Sequence, residues 1–438
     1  MKQNVKLGVV CLARTTFDYS AAEGIYNQLL EDMGALEQVE IVSIPHLVIE
    51  VEDAKEAARK LLGSDIDGLV IISGTFHLGH LVLELHKVLH KPLLLWGLPE
   101  LPYNGGKIRL NSICGVNLDA SNLYKSGVKN YSVCLSASID ENWVDAIRID
   151  AALKNTHLGI LGYRAKGFFN VGVYDLNVYE QMGLLIDHYE LGEVWNYPVS
   201  EAQLSFRLGQ LRDTFDTSEL SEDQVIRVAE LTAKFDAFMD AHKLTALAVR
   251  CWPEFAAEFG NSPCAAMSLL QSEGRILTCE GDIEGSISMI AHQAVGGETP
   301  YLFDFSQIDL DEDFALLWHC GVAPCNLWDG RCVRSLSTYF AGGKGVTADF
   351  VLKDGEVSVL RIDSAKNEYR VLLASGNVIP MDKELRGTYM KVRFSIPVGN
   401  LLHKVIDNGI THHASVVYGT FLEPFRIYAK IKGWKVIE

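Results

Sequence analysis

The sequence predicts an α/β protein in which two doubly wound, Rossmann-like α/β domains are followed by a β-rich C-terminal domain. Three observations carry that prediction. Short apolar runs alternate with amphipathic stretches as far as Asp309, at the roughly 20 to 30 residues per step that a parallel sheet with crossover helices requires. The alternation restarts at His157 with HLGILGY, and after Asp309 it gives way to short β-prone runs separated by turn residues. The domains are therefore expected at 1–156, 157–308 and 309–438. A chain of 438 residues is too long for one simple core, so a division of this kind is needed.

In the first domain Lys6 to Leu12, Val39 to Ile44, Gly68 to Ile72 and Pro92 to Trp96 read as strands. GLVII and PLLLW are apolar throughout, as strands buried on both faces must be. Ala21 to Met33, Ala54 to Leu62, Leu78 to Leu89 and Leu118 to Lys125 read as the intervening helices, with Tyr131 to Leu135 as a fifth strand and Ser138 to Leu153 as an amphipathic helix. Loops after the strands carry Arg14 to Asp18, Thr75 to His77 and Gly97 to Glu100. No GxGxxG follows the first strand, which argues against a dinucleotide cofactor.

In the second domain Met182 to Tyr189, Glu193 to Val199 and Gln224 to His242 are expected as helix, strand and long helix. Leu244 to Cys251 is a strand leading into Trp252-Pro253-Glu254, and Pro263 to Gln271 is a helix. Arg275 to Cys279 then reads as a strand ending at Glu280, Ile283 to Ala294 as a helix stopped by Gly296-Gly297, and Tyr301 to Phe303 as a strand ending at Asp304. Read as one βαβ unit, this places both acids on one edge of a parallel sheet, the edge at which such sheets bind ligands. Two neighbouring carboxylates repel unless they share a proton or a cation, so the pair suits a divalent metal or acid/base work. Solvated loop acids or helix caps are the alternative.

Beyond Asp309, Ala315 to His319, Thr347 to Lys353, Glu356 to Asp363, Glu368 to Ser375 and Tyr389 to Phe394 are expected to form an antiparallel sheet or barrel. A helix around Glu423 to Ile431 and a strand at Trp434 to Ile437 close the chain.

Composition narrows the class of function. The net charge of −17 argues against nucleic acid or an anionic membrane as the main partner. The apolar run near the N-terminus, Leu7 to Ala13, is too short to span a bilayer. Nine cysteines without a CxxC pair fit reduced thiols in a cytoplasm. His86 and His90 at i, i+4 lack the glutamate of a metalloprotease helix, and His319-Cys320 with Cys325 and Cys332 lacks a tight zinc spacing. His412-His413, preceded by Thr411 and followed by ASVVYG, is the remaining histidine group.

Taken together, CEGD, a helix, GG, the acid of YLFDF and the late THHASVVYG resemble the L-fucose isomerase and L-arabinose isomerase superfamily, of which this would be a shorter, divergent member. The resemblance implies a Mn²⁺ ion, with Mg²⁺ or Co²⁺ as substitutes, held by Glu280, Asp304 and His413. It gives Glu280 and Asp304 a second role as the acid/base groups of an aldose–ketose isomerisation through a cis-enediol. His319, in LLWHCGVAP, stands where arabinose isomerases place a further histidine. Arg14, Asp18, Trp96, Asn111, Trp252 and Glu254 are the candidate substrate contacts. The resemblance also implies a cytoplasmic homo-hexamer with shared active sites, with Trp96, Arg109 and Asn111 as the residues to cross the interface. The expected substrate is a free fucose- or arabinose-like sugar. Arg14, Lys107 and Arg109 raise the alternative of a sulfonated or phosphorylated hexose, and an aldolase, an epimerase or a non-catalytic sugar-binding protein are the others.

Overall fold

A computed structural model describes residues 2–339 and 345–438. The chain falls into two compact units, one of Lys2–Ala151 with Glu423–Trp434, the other of Ala152–Leu422 with Lys435–Glu438.

The first unit is built on a parallel five-stranded sheet: β1 (Val5–Leu12), β2 (Val39–Ser43), β3 (Gly68–Ser73), β4 (Leu93–Gly97) and β5 (Ser132–Leu135), in the order β2-β1-β3-β4-β5. Every residue of β3 and β4 is buried, as their unbroken apolar runs require, whereas the edge strands β2 and β5 keep residues in contact with solvent. The helix Val51–Leu62 shows how the crossovers dock: Ala54, Ala57, Ala58 and Leu61 form its buried stripe, and a capping box between Glu50 and Asp53 opens it. The late helix Leu422–Lys432 supplies this unit with an Ile431 carbonyl that accepts from Asn130 and a Lys432 ammonium 2.7 Å from Asp150.

The second unit combines two sheets. Strands β6 (His157–Leu161), β7 (Leu185–Tyr189), β8 (Ala246–Val249) and β9 (Ile276–Thr278) form a parallel sheet in the order β7-β6-β8-β9. The nine-stranded second sheet contains β10 (Tyr301–Asp309), β11 (Phe314–His319), β12 (Ser335–Thr338), β13 (Val346–Val351), β14 (Gly355–Ala365), β15 (Glu368–Ile379), β16 (Thr388–Phe394), β17 (His413–Tyr418) and β18 (Lys435–Ile437). Antiparallel pairing in the order β16-β11-β10-β17-β14-β15, with β15 returning to β16, closes six of these into a barrel. Alternate residues along the barrel strands, among them Tyr301 and Phe303, Val357 and Val359, Met390 and Val392, and Ala414 and Val416, join one buried cluster.

Two expectations for the middle of the chain are overturned. Leu185–Tyr189 is a strand rather than part of a helix; it lies at a sheet edge with Leu185, Asp187 and His188 exposed, so it lacks the apolar run of an interior strand. Leu191–Trp195 is a helix rather than a strand, started by a capping box between Glu190 and Glu193. The larger correction concerns Tyr301 to Asp304. This segment does not join β9 in a βαβ unit; it begins the barrel, antiparallel to β11 and β17. Glu280 and Asp304 therefore come from different sheets.

Candidate metal centre

β9 ends in the turn Cys279–Gly281, where Glu280 takes φ 63° and Gly281 φ 74°. A left-handed glutamate is strained, and strain of this kind collects at functional sites. The glycine is required, because a Cβ there would lie 2.4 Å from the Tyr163 carbonyl oxygen. The Ala165 amide donates to the Glu280 carbonyl at 3.2 Å, fixing the turn against the loop after β6. Strand order reverses between β6 and β8, so the loops after these strands, which carry Phe168 and Trp252, open at the position where doubly wound sheets bind ligands.

The barrel supplies the facing groups through its register. Asp304 of β10 pairs with His413 of β17 on one side and with Trp318, next to His319, of β11 on the other. His413 Nε2 lies 3.5 Å from Glu280 Oε2 and 3.3 Å from Asp304 Oδ1. The His319 ring stacks on His413 with centroids 5.5 Å apart. His412 Nε2 is 3.3 Å from Glu280 Oε2, and the Trp252 indole N–H donates to Glu280 Oε1 at 3.2 Å. Phe168 packs edge-on to Trp252 and against His412, each at 5.5 Å, giving the site one aromatic wall.

Burial opposes the charge on Glu280, but His412, His413, His319 and Trp252 outweigh it and hold the carboxyl below its usual range. Burial likewise disfavours the His412 and His319 cations. Glu280 outweighs it at His412, and Cys320 with Asp304 outweighs it at His319, so both imidazoles are raised. Asp304 Oδ1 and His319 Nε2 are buried and have no hydrogen-bond partner among the described residues. Two overlapping groups, Glu280–His412–His413 and Asp304–His319–His413, bring their ligand atoms within 4.8 Å of one another. Buried orphaned atoms among converging carboxylates and imidazoles fit a divalent cation that accepts mixed oxygen and nitrogen ligands.

The family model of the fucose/sulfoquinovose isomerase N-terminal domain matches residues 8–147. A sulfoquinovose isomerase of Priestia aryabhattai is 27% identical over 439 residues, covering 96% of both chains. Over residues 8–147 the chain thus resembles the fucose isomerase superfamily, and over nearly its whole length it is similar to a sulfoquinovose isomerase. A second relative, the sulfoquinovose isomerase of Alkalicoccus urumqiensis, is 25% identical over 450 residues and covers 98% of both chains. That of Clostridium sp. (strain MSTE9) is 23% identical over 348 residues, covering 75% of this chain and 76% of its own.

Of the residues singled out in the sequence, Glu280, Asp304, His413, His319 and Trp252 are brought together. Glu254 is half-buried and paired with Arg250 at 3.2 Å. Arg14, Asp18, Trp96 and Asn111 belong to the other unit. There Asp18 caps the helix Tyr19–Gly34 and pairs with Arg109 at 2.8 Å, so its carboxylate is already engaged. Trp96 is 0% exposed and its indole N–H donates to Ser136 O, which leaves no ring face to stack on a sugar within this unit. Arg14 and Asn111 are half-buried, and no ion pair holds Arg14 among the described residues. His86 and His90 pack edge-on to each other with ring centroids 5.4 Å apart. Sequence reasoning missed the places of His412, Phe168, Asp282 and Arg361 at this site. The last had a signal, since a lone arginine inside the apolar run VSVLRI requires a buried partner.

Proposed function

We propose that the chain is an aldose–ketose isomerase of a sulfonated hexose, working with a divalent cation, Mn²⁺ or in its place Mg²⁺ or Co²⁺, held by Glu280, Asp304 and His413. The observation that carries this reading is the meeting of those three side chains from two different sheets, with His413 Nε2 within 3.5 Å of both carboxylates. A bound cation supplies charge stabilisation at adjacent substrate oxygens.

The protein groups account for the remaining needs of the reaction. Aldose-to-ketose conversion removes a proton from one carbon, passes through a cis-enediol and returns a proton to the neighbouring carbon. Glu280 is kept ionised by its imidazole and indole neighbours, which suits it to accept that proton at neutral pH. Asp304 faces the same space from the barrel and is the partner group. Trp252 and Phe168 offer apolar ring surface to one face of a sugar.

Preference for a sulfonated over a neutral sugar is supported by the three relatives, each a sulfoquinovose isomerase. It is also supported by the cations at the strand ends of the first unit. Arg109 is committed to Asp18, and the Lys107 ammonium is hooked on the Thr16 carbonyl over the Phe17 ring. Arg14 is the cation there without an ion pair among the described residues, and we assign it to the sulfonate. Assembly into a homo-hexamer with shared sites and a cytoplasmic location complete the proposal. Nine unpaired cysteines fit that compartment, and none of the described helices is long and apolar enough to cross a membrane.

The test is ketose formation followed by NMR, using EDTA-treated protein with Mn²⁺ restored and offered sulfoquinovose, L-fucose, D-arabinose and a 6-phosphohexose. The expected result is metal-dependent turnover fastest on sulfoquinovose and abolished in Glu280→Gln. Turnover confined to neutral sugars would overturn the substrate, and turnover indifferent to EDTA would overturn the metal.

A further inference from the structure

His413 has two ring nitrogens, and only one faces the two carboxylates of the site. The other, Nδ1, lies 3.0 Å from Asp282 Oδ2. Asp282 is 0% exposed, and its surroundings determine what it can do for the imidazole. Its Oδ1 accepts from the Gly285 amide at 2.8 Å and from Arg361 Nη2 at 3.1 Å, while Oδ2 accepts from Arg361 Nη1 at 2.6 Å. The Arg361 side chain is also wholly buried and reaches Glu284 at 3.5 Å and Asp363 at 3.6 Å. Arg361 thus grips both oxygens of Asp282 at once, and the helix that begins at Ile283 fixes the same carboxylate from its first turn.

An ionised carboxylate only accepts hydrogen bonds. The Asp282 oxygen that faces His413 therefore requires a proton on Nδ1, and a neutral imidazole protonated there carries its lone pair on Nε2. Nε2 is the atom 3.5 Å from Glu280 and 3.3 Å from Asp304. We propose that Asp282, clamped by Arg361, is a positioning residue that fixes the His413 tautomer and ring orientation, so that Nε2 is presented as a metal ligand toward Glu280 and Asp304. The inference rests on the metal-centre reading given above and adds a requirement to it: the ligand set works only with its buried carboxylate and guanidinium behind it.

A purely structural Asp282 would cap its helix and neutralise Arg361 without affecting metal affinity. Two measurements separate the roles. In the first, apo protein is titrated with Mn²⁺ and the free ion is followed by EPR, for wild type, Asp282→Asn and Arg361→Lys. Asparagine must turn either its amide N–H₂ toward His413 or its oxygen away from Gly285, so the acceptor pattern breaks while the volume is kept. The expected result is about 10- to 100-fold weaker Mn²⁺ binding in Asp282→Asn, with kcat recovering more than affinity as Mn²⁺ is raised. Wild-type affinity in a variant that melts cooperatively would overturn the proposal. If wild type itself binds no Mn²⁺, the metal-centre reading fails instead. The second measurement needs no variant and so stands even where Asp282→Asn fails to fold. Long-range ¹H–¹⁵N correlation of ¹⁵N-histidine-labelled wild type, loaded with Mg²⁺ at pH 8, should show His413 protonated at Nδ1 and bare at Nε2. The Nε2–H tautomer would overturn the proposal whatever the titration gives.

Discussion

The carboxyl edges of the two parallel sheets share a topology and differ in how their polar groups are spent. At the edge of the first sheet unlike groups pair, although Asp119 Oδ1 is buried without a hydrogen-bond partner among the described residues. His77 engages the Thr75 carbonyl at 2.9 Å through Nδ1 and Asp119 at 2.9 Å through Nε2, and Glu100 accepts from the amides of Leu101, Leu110 and Asn111. At the edge of the second sheet like groups are forced together. Glu280 sits in a strained turn, Asp304 faces it from the barrel, and Asp304 Oδ1 and His319 Nε2 have no hydrogen-bond partner among the described residues. An unpartnered buried polar atom is costly, of the order of 1–3 kcal/mol. The contrast teaches that a ligand site in this architecture is marked less by topology than by carboxylates and imidazoles converging from two sheets.

The largest effects should come from removing those carboxylates. Glu280→Gln and Asp304→Asn are each expected to lower kcat on the order of 10²- to 10⁴-fold and to weaken Mn²⁺ binding. Because its imidazole and indole neighbours favour the Glu280 carboxylate, the thermal midpoint of EDTA-treated Glu280→Gln should fall only slightly. A large fall in that midpoint would mean that Glu280 is structural and the contrast false.

At the first edge the balance between activity and stability reverses. Burial pulls the His77 imidazole down, but the hydrogen bond and charge of Asp119 outweigh it and raise it; burial in turn outweighs His77 and raises the Asp119 carboxyl, so the two form a buried pair, 2.9 Å apart, that holds a proton between them. His77→Ala leaves Asp119 buried and uncompensated, which should cost about 3–5 kcal/mol in urea unfolding. The kcat of the folded fraction should fall far less than in Glu280→Gln. An activity loss as deep as that of Glu280→Gln with unchanged stability would move His77 into the catalytic apparatus.

How much of this was legible in the chain depended on whether a feature is local. GLVII and PLLLW announce buried strands by themselves, and Glu280, Asp304 and His413 stand in the short motifs CEGD, YLFDF and THHASVVYG. The partner of Tyr301 to Phe303 was not legible: a strand shows its periodicity, but its sheet is decided by β17, which lies far along the chain. Read locally, the glycine pair before it suggested a βαβ return to β9, when the chain instead crosses into the barrel. Trp96 was misplaced for a related reason, since an aromatic at a strand end reads the same whether its ring turns to the crevice or into the core. Arg361 was overlooked because burial of an arginine depends on carboxylates brought from a different element.

A smaller effect should appear at Arg14, where the first sheet's edge departs from its own pattern by leaving a cation without an ion pair among the described residues. Arg14→Ala is expected to raise KM for a sulfonated hexose about 10- to 100-fold, the equivalent of a charge-assisted hydrogen bond worth about 1.5–3 kcal/mol, and to leave KM for a neutral hexose unchanged. Equal losses on both sugars would make Arg14 a structural cation and align that edge fully with its closed neighbours.

The smallest effect tests whether like-charge crowding extends beneath the second site. Glu284 is buried beside Arg361 and Asp363. Burial, reinforced by the charges of Asp363 and Asp282, outweighs the pull of Arg361 and pushes its carboxyl up to about 8. A group whose folded-state pKa lies above its unfolded value stabilises the fold fully below the unfolded value. That contribution is lost as pH rises from the usual glutamate range, about 4.3, through about 8. Wild-type stability should therefore decline across this window by more than that of Glu284→Gln, whose neutral amide keeps the hydrogen-bonding shape without the proton. Thermal melts of both proteins at pH 5 to 9 should diverge, with the variant gaining on wild type as pH rises. Parallel curves would show that Glu284 is ionised throughout and that Arg361 divides its charge among three carboxylates, which would weaken its hold on Asp282 and, through it, on His413.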